Sequence, residues 1–350
     1  MYCIRELTRK VSSIGRSSIP SSTVNVVAHV LPLPAKDSSP HHAVFAASIQ
    51  AIQGKYGLGP QPYITITHAV PHKFDLNCLP TSPPATPNVV QEGADYFNQY
   101  TFAHAAVVPA YHAPTRGPSS STNSSPNPIV PPRSVQVTIL ERYIPPSSIQ
   151  EYNDLFSIHG RSALLDRLSE LSVDGGTLLF ICPTKTGAKT FSESYLSPIL
   201  TPILLQIVNL NRLVWNLAED IGRMAAVPYM NEFDVMKTKI NSLCKSLSER
   251  PSTSAGSRFE LVYSSSGRVC LDQATWREWY IEQEQGRIRD VLKSYWKQGR
   301  RLPGDTEVTD ATIARAIIDG LRKGVIGVRP SSGEGVEVGV FVIKRLPASA

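Results

Sequence analysis

Apolar and polar positions alternate along the first half of the chain in blocks that predict strands separated by helices. Short apolar or β-branched runs occupy 24–31 (VNVVAHVL), 63–70 (YITITHAV) and 101–111 (TFAHAAVVPAY). Two more follow at 135–144 (VQVTILERYI) and 175–183 (GGTLLFICP). Several of these runs are apolar throughout, which is typical of parallel strands buried on both faces.

Helical spacing fills the intervals between these runs. HHAVFAASIQAIQGKYG (41–57) has helical periodicity and ends at a glycine, and two short helices, SIQEYNDLFS and RSALLDRLSELS, precede the fifth run. A long helical stretch is predicted from Lys189 to Leu247. Because proline lacks the backbone N–H that a helix interior needs, breaks are expected near three prolines: Pro198, Pro202 and Pro228.

The last third of the chain returns to strand character. RFELVYSSSGRVCL (258–271) and VEVGVFVIKRL (336–346) are predicted strands, and a helix is predicted from Ala274 to Lys297 between them. Seven strands with helices between most of them predict one α/β fold. We expect a Rossmann-like, mostly parallel seven-stranded sheet with helices on both faces.

The predicted organisation is a single α/β domain over 21–350 with a short leader before it. The leader, 1–20 (MYCIRELTRKVSSIGRSSIP), is basic and rich in serine, as in a mitochondrial transit peptide or a disordered or helical extension. A Ser/Pro-rich segment at 114–134 has too few apolar residues to pack and is expected to be a disordered loop. The stretch 189–250 is expected to be a helical insertion.

Composition narrows the class of protein only a little. The chain has 350 residues, 41% hydrophobic and 18% charged, which is enough to build a core, and no run reaches the roughly 18 apolar residues of a membrane span. Its net charge of +6 permits an anionic ligand or nucleic acid. Five dispersed cysteines without a CxxC pair indicate a reducing compartment. We therefore expect an intracellular protein of cytoplasm or nucleus, or of mitochondria if the leader is an import signal, with no membrane contact.

The stretch 175–190 (GGTLLFICPTKTGAKT) has the strand, loop and helix order that many folds use to hold phosphate. A nucleotide-triphosphate loop requires GxxxxGK[ST], but Ala188 separates Gly187 from Lys189 here, so a nucleotide triphosphatase is disfavoured. Lys185 and Lys189 beside Gly187 are instead predicted contacts to an anion or substrate. A solvated loop is the alternative.

Residues 135–183 resemble the approach to the fifth strand in class I S-adenosylmethionine-dependent methyltransferases. The shared pattern is a helix, a glycine-containing turn and an apolar strand, with Asp174 where that family usually has proline. The resemblance implies that VQVTILERYI is the fourth strand and ends at the cleft. It also implies that the last strand is antiparallel, and that S-adenosylmethionine is the cofactor of a methyl transfer to an unknown acceptor.

The same resemblance implies a set of site residues. The cofactor would lie across the ends of the first, second and fourth strands, near His29, Asp75 and Glu141. Glu141 and Tyr143 would be catalytic and approach the acceptor, together with His72 and the 183–189 loop. The alternative for Glu141 and Tyr143 is that Glu141 forms a surface pair with Arg142 and that Tyr143 is a half-buried tyrosine without a catalytic role. The histidines lack the paired spacing of a metal site, and no metal is predicted.

Two departures from the family support a second hypothesis. The segment after the first strand, LPLPAKDSSP, has no glycine where the family has a glycine-rich cofactor loop. The second strand is followed by His72, and an acid comes only at Asp75. A non-catalytic, methyltransferase-like scaffold or interaction protein with a partner protein is therefore the alternative to an enzyme.

Aromatic and basic residues are interleaved in 274–301, which can indicate a nucleic-acid-binding accessory factor. However, Trp276, Trp279 and Tyr280 have the i, i+3, i+4 spacing of a helix face that packs on a core. Packing onto the sheet is therefore the favoured interpretation. Contact with nucleic acid is the alternative.

Overall fold

The computed structural model describes most of the chain. The described residues are 23–33, 40–55, 62–71, 74–75, 101–108, 128–159, 162–250, 256–299, 309–323 and 335–347. The predicted leader and His72 lie outside them.

The centre of the fold is one seven-stranded sheet. Its strands are β1 Thr23–Leu31, β2 Tyr63–Val70, β3 Thr101–Val107, β4 Val137–Arg142, β5 Thr177–Pro183, β6 Ser257–Val269 and β7 Val336–Pro347. Their order in the sheet is β3-β2-β1-β4-β5-β7-β6. Strands β1 to β5 are parallel, whereas β7 is antiparallel to both of its neighbours, β5 and β6. The predicted Rossmann-like sheet with an antiparallel last strand is confirmed.

Helices connect the strands and cover both faces of the sheet. A π-helical turn spans Phe191–Leu196, and a short 3₁₀ helix spans Val227–Tyr229. The helices are α1 Pro40–Lys55, α2 Ile149–Asp154, α3 Ala163–Glu170, α4 Lys185–Thr190, α5 Ser197–Leu210, α6 Trp215–Gly222, α7 Phe233–Ser248, α8 Gln273–Lys297 and α9 Asp310–Lys323.

Polar side chains fix where several helices begin. Ser148 accepts a hydrogen bond from the backbone N–H of Glu151 at the start of α2, and Ser162 accepts one at the start of α3. Asp272 accepts from the N–H of Thr275 at 3.0 Å and so starts α8. Such caps satisfy N–H groups that have no partner within the helix.

The expected break near Pro228 is confirmed, but those near Pro198 and Pro202 are wrong. Helix continues from Lys185 to Leu210, and Pro202 lies inside α5. The widened π turn ends at α5, where the N–H of Ser197 bonds to the carbonyl of Ser192, one residue further back than in an α-helix. This irregular hydrogen bonding directly precedes Pro198 and lets the helix continue past a residue that lacks a donor.

Two apolar layers hold the helices to the sheet. On one face, the alternate β1 residues Val26 and Val30 pack with α1, α4, α5, α6, α8 and α9. On the other face, Leu31 and Leu140 pack with α3 and α7. Because strand side chains alternate between faces, a polar residue's position in its strand decides which helices it meets.

The end of the segment predicted to be disordered makes specific contacts. Within 128–134, the N–H of Ile129 donates to Glu170 at 2.7 Å, and the carbonyl of Ser134 accepts from the side chain of Asn25 at 2.9 Å. These contacts connect 128–134 to α3 and β1, and the disorder predicted for the segment stays a prediction. Residues 114–127 of that segment lie outside the described part.

Candidate functional site

The strand order reverses between β1 and β4. The chain adds β2 and β3 on one side of β1 and then places β4 on the other side. In open α/β sheets, ligands bind in the crevice beyond the carboxyl ends of strands at such a reversal. The register pairs Val30 with Glu141 and Leu31 with Arg142, so both strands end at the same level. This crevice is the candidate site.

Glu141 and Tyr143 come together at the crevice. The phenol of Tyr143 donates a hydrogen bond to the carboxylate of Glu141, and both side chains are fully buried. Burial, and secondarily the carboxylate of Glu141, hold the pKa of Tyr143 well above its ordinary value. The phenol therefore stays protonated and remains a donor. The alternative considered from sequence was a surface Glu141–Arg142 pair beside a half-buried tyrosine. Both Glu141 and Tyr143 are more deeply buried than that alternative assumed.

Helix α8 lies over this pair. The indole of Trp279 stacks on Tyr143, with ring centroids 5.7 Å apart and planes at 10°, and its Nε1–H donates to the carbonyl of Leu33 at 3.0 Å. Leu33 lies just beyond β1. Trp279 therefore contacts the chain beyond the ends of both strands that form the crevice.

A buried polar network extends from β4 to the helices. Arg142 donates to the carboxylate of Glu151, to the carbonyl of Ile144 and to the amide oxygen of Gln283. Gln283 in turn donates to the carbonyl of Pro145 at 2.8 Å. Buried charges are costly unless they are paired, and here the guanidinium has partners from both the strand end and α8.

The network continues along α8 to α6. Gln283 also donates to the carboxylate of Glu284, which is paired with Arg287. Arg287 then donates to the carbonyls of Asp220 and Ile221, near the end of α6, at 2.8 and 2.7 Å. These groups were not identified from sequence. The regular spacing of Trp276, Trp279, Gln283 and Arg287 along one helix face was the available signal.

His29 lies on the opposite face of the sheet from Glu141. Its β1 neighbour Val30, not His29, is the residue level with Glu141. The Nδ1 atom of His29 is 3.3 Å from the guanidinium of Arg167, which is paired with Glu170 at 2.7 Å. The structure therefore does not bring His29 and Glu141 together, and the cofactor role of His29 stays a prediction. Strand alternation separates them.

Asp75 follows β2 and is exposed. Because β2 is parallel to β1 and next to it, Asp75 lies beyond the carboxyl edge of the sheet, on the β2 side of the crevice. His72 lies outside the described residues. The cofactor role of Asp75 and the acceptor role of His72 stay predictions.

The loop around Gly187 is largely occupied by the protein's own groups. Helix α4 begins at Lys185, whose N–H donates to the carbonyl of Asn231 at 2.9 Å. The N–H of Gly187 donates to the hydroxyl of Thr184 at 3.1 Å. A Cβ at Gly187 would lie 1.9 Å from the carbonyl oxygen of Glu337 on β7, so glycine permits this close approach. An anion contact would have to come from the side chains of Lys185 and Lys189.

The aromatic residues of α8 are mostly buried, as the packing interpretation predicts. Trp276 meets Phe191 edge-on at 5.4 Å, and Trp279 and Tyr280 are also buried. Trp296 is half-buried. Since bases stack on exposed rings, these residues do not provide a stacking platform for nucleic acid.

Neither a metal cluster nor a membrane span is found in the part of the chain that the structure describes. Among the residues it describes, no three His, Cys, Asp or Glu side chains are grouped so that they could hold a metal ion. No described helix is long and apolar enough to cross a membrane.

Comparison with known proteins gives distant likenesses to solved structures. No family model and no curated protein matches the chain. Among solved structures, loganic acid methyltransferase with SAH is similar at 10% identity, covering 98% of this chain and 93% of that one, with a TM-score of 0.49. Coclaurine N-methyltransferase bound to N-methylheliamine and SAH matches at 10% identity over 97% and 71% of the two chains, with a TM-score of 0.28.

The methyltransferase-like architecture predicted from the sequence is confirmed by the sheet itself. Its seven strands, five parallel members and antiparallel β7 are those that the resemblance implied. At 10% identity and TM-scores of 0.49 and 0.28, the two solved structures carry no conclusion about this chain. What the chain binds has to be inferred from its own residues.

Proposed function

We propose that this chain is an S-adenosylmethionine-dependent methyltransferase that binds its cofactor in the crevice between β1 and β4. One observation carries the proposal: a buried Glu141–Tyr143 pair lies where the strand order reverses, the position at which open α/β sheets bind ligands. The acceptor is unidentified.

In this proposal Glu141 holds the cofactor through its carboxylate. A carboxylate has about four lone-pair positions, so Glu141 can accept from ligand N–H or O–H groups in addition to the phenol of Tyr143. Tyr143, kept protonated by burial, orients that carboxylate and presents its ring face to the ligand. Asp75 would contact the cofactor from the end of β2.

Methyl transfer needs little from the protein beyond alignment and exclusion of water. S-adenosylmethionine supplies an electrophilic methyl group when bound, and the acceptor atom must approach it in line. Positioning of the two reactants and removal of water are the expected contributions of the apolar layer under α8. We propose Lys185 and Lys189, with His72, as contacts to the acceptor.

A non-catalytic scaffold is the second candidate, and two observations favour it. The segment after β1, LPLPAKDSSP, has no glycine that would let a cofactor approach the backbone. In addition, Glu141 and Tyr143 are fully buried beneath Trp279. A scaffold of this kind would keep the sheet and its helical layers without binding S-adenosylmethionine.

Calorimetric titration of the full chain with S-adenosylmethionine and S-adenosylhomocysteine separates the two candidates, with ATP as a control ligand. The enzyme proposal predicts one site per chain. Glu141→Gln should weaken it about tenfold to a hundredfold, because a hydrogen bond to a charged acceptor is replaced by a neutral one.

A matched control is Glu170→Gln, which neutralises an equally buried carboxylate on the other face of the sheet. Folded Glu170→Gln should bind S-adenosylmethionine and S-adenosylhomocysteine with the affinity of the wild type. Absence of heat from both compounds, at protein concentrations that reveal sub-millimolar binding, favours the scaffold.

A further inference from the structure

Trp279 occupies the crevice in a way that resembles a bound ligand. Its fused bicyclic ring stacks almost parallel on Tyr143, and its ring N–H donates to the carbonyl of Leu33. Only 1% of Trp279 is exposed, and Glu141 beneath this layer is 0% exposed. Glu141 is therefore closed to a ligand in this conformation, and the indole covers its hydrogen-bond partner Tyr143.

The contacts of Trp279 specify a chemical class. Within the apolar layer, the two directional contacts are one aromatic face, provided by Tyr143, and one backbone acceptor, provided by Leu33. A flat bicyclic heterocycle that carries an N–H donor satisfies both. Adenine, the base of S-adenosylmethionine, is such a ring, and its exocyclic amine is a donor.

We propose that Trp279 is an internal substitute for the adenine ring, and that an adenosyl ligand enters by displacing it. The ligand ring then stacks on Tyr143, and its amine donates to the carbonyl of Leu33. This inference rests on the proposed function, because it concerns the same crevice. It adds that ligand entry is gated by α8.

The attachments of α8 show what entry requires. On the sheet side, α8 is held by Trp279 to Leu33 and by Gln283 to Pro145 and Arg142. Toward the other end, Arg287 binds the carbonyls of α6, and the phenol of Tyr295 accepts from the N–H of Val214. Helices α6 and α8 would therefore move together when Trp279 leaves the crevice.

The test is ligand-dependent thermal stability of Trp279→Ala in the full chain. Removing the indole leaves a space of its own size beside Tyr143, so free indole is the positive control for an open cavity. Adenosine should then raise the melting temperature of the variant and should bind it about tenfold more tightly than it binds wild type. This factor is what one stacking contact and one hydrogen bond are worth.

The matched control is Trp276→Ala, one turn earlier on α8. Trp276 is equally buried, but its ring packs edge-on against Phe191, and its N–H has no hydrogen-bond partner among the described residues. Adenosine should not stabilise this variant. The proposal is wrong if adenosine stabilises neither variant, or both equally.

Trp279→Phe keeps the test decisive if the alanine variant does not fold. Phenylalanine retains a ring on Tyr143 but cannot donate to Leu33, so it competes less well with a ligand. Adenosine should bind it about three to ten times more tightly than wild type. Equal, weaker or undetectable binding overturns the proposal.

S-adenosylhomocysteine separates failure of this inference from failure of the proposed function. If S-adenosylhomocysteine binds the wild type and Trp279→Phe equally, the proposed cofactor site is supported and Trp279 does not control ligand entry. If adenosine binds Trp279→Ala but S-adenosylhomocysteine binds no variant, the ring site stands and methyl transfer is excluded.

Discussion

The side chain of Gln283 donates to the carbonyl oxygen of Pro145 at 2.8 Å and thereby joins α8 to the segment that leaves β4. Its amide oxygen accepts from Arg142 at the same place, so one side chain satisfies a backbone acceptor and a buried guanidinium. Both partners are buried. The position of α8 over the crevice thus depends on polar bonds as well as on apolar packing.

Gln283→Leu should lower the free energy of unfolding by about 3 kcal/mol, because the Arg142 guanidinium and the Pro145 carbonyl each lose a partner in a buried place. Urea denaturation measures this. Gln285→Leu, on the same helix with surface contacts to Glu282 and Arg289, should change stability by less than about 0.5 kcal/mol. Equal effects of the two variants would show that the network does not hold α8.

Gly187→Ala should be strongly destabilising, because a Cβ would lie 1.9 Å from the carbonyl oxygen of Glu337 and the backbone of β7 would have to move. We expect a loss of about 3 kcal/mol or more, at the upper end of overpacking effects. Gly286→Ala is the control, since no atom lies within 4 Å of its added Cβ. In the middle of α8 this change should stabilise by about 0.5–1 kcal/mol. Thermal denaturation of both variants tests the pair.

The sheet could be predicted because its signal is local. Apolar runs such as 24–31 and 175–183 identify strands by themselves, and helix-length intervals imply parallel neighbours. The Glu141–Tyr143 contact is local too, since residues i and i+2 of a strand share a face. The burial of this pair could not be predicted from the sequence, because the helix that covers it, α8, lies more than 130 residues away along the chain.

The surroundings of other predicted site residues are decided by tertiary contacts, which the sequence does not supply. The sequence around Gly187 is similar to that of a phosphate-binding loop. In the structure, the absence of a side chain at Gly187 allows close packing against β7. His29 and Glu141 both lie near strand ends, but they are in adjacent strands at positions that face opposite sides. A one-residue difference in register decides this, and the sequence alone does not supply the register.

The pH dependence of stability should report the buried phenol of Tyr143. Burial raises the pKa of Tyr143 in the folded protein above its ordinary value of 10.0. The unfolded chain therefore loses this proton first, and the stabilising contribution, complete below about pH 10, is lost as pH rises. The stability difference between wild type and Tyr143→Phe should shrink by about 1 kcal/mol between pH 10 and pH 11, and the slope approaches about 1.4 kcal/mol per pH unit at higher pH. Urea denaturation at pH 9, 10 and 11 measures it, and parallel pH profiles would contradict it.

Alkylation should distinguish the described cysteines. Cys270 is exposed, whereas burial raises the pKa of Cys244 to about 12 and that of Cys182 further. Because the thiolate is the reactive form, iodoacetamide at pH 8 should modify Cys270 at least about a hundredfold faster than the other two. Peptide mass spectrometry measures each site separately. After unfolding in urea the three rates should converge, and rapid modification of Cys182 in the native protein would show that β5 is accessible.

The most direct test of the central claim is to locate the cofactor by ultraviolet cross-linking. The full chain would be irradiated with methyl-labelled S-adenosylmethionine, with and without excess S-adenosylhomocysteine, and the labelled peptides mapped by mass spectrometry. We predict competitor-sensitive label on the segments after β1 and β4, around Leu33 and Glu141–Pro145, or on α8 near Trp279. Label confined to Lys185–Lys189, or no label that the competitor removes, would contradict a cofactor site at the β1–β4 crevice.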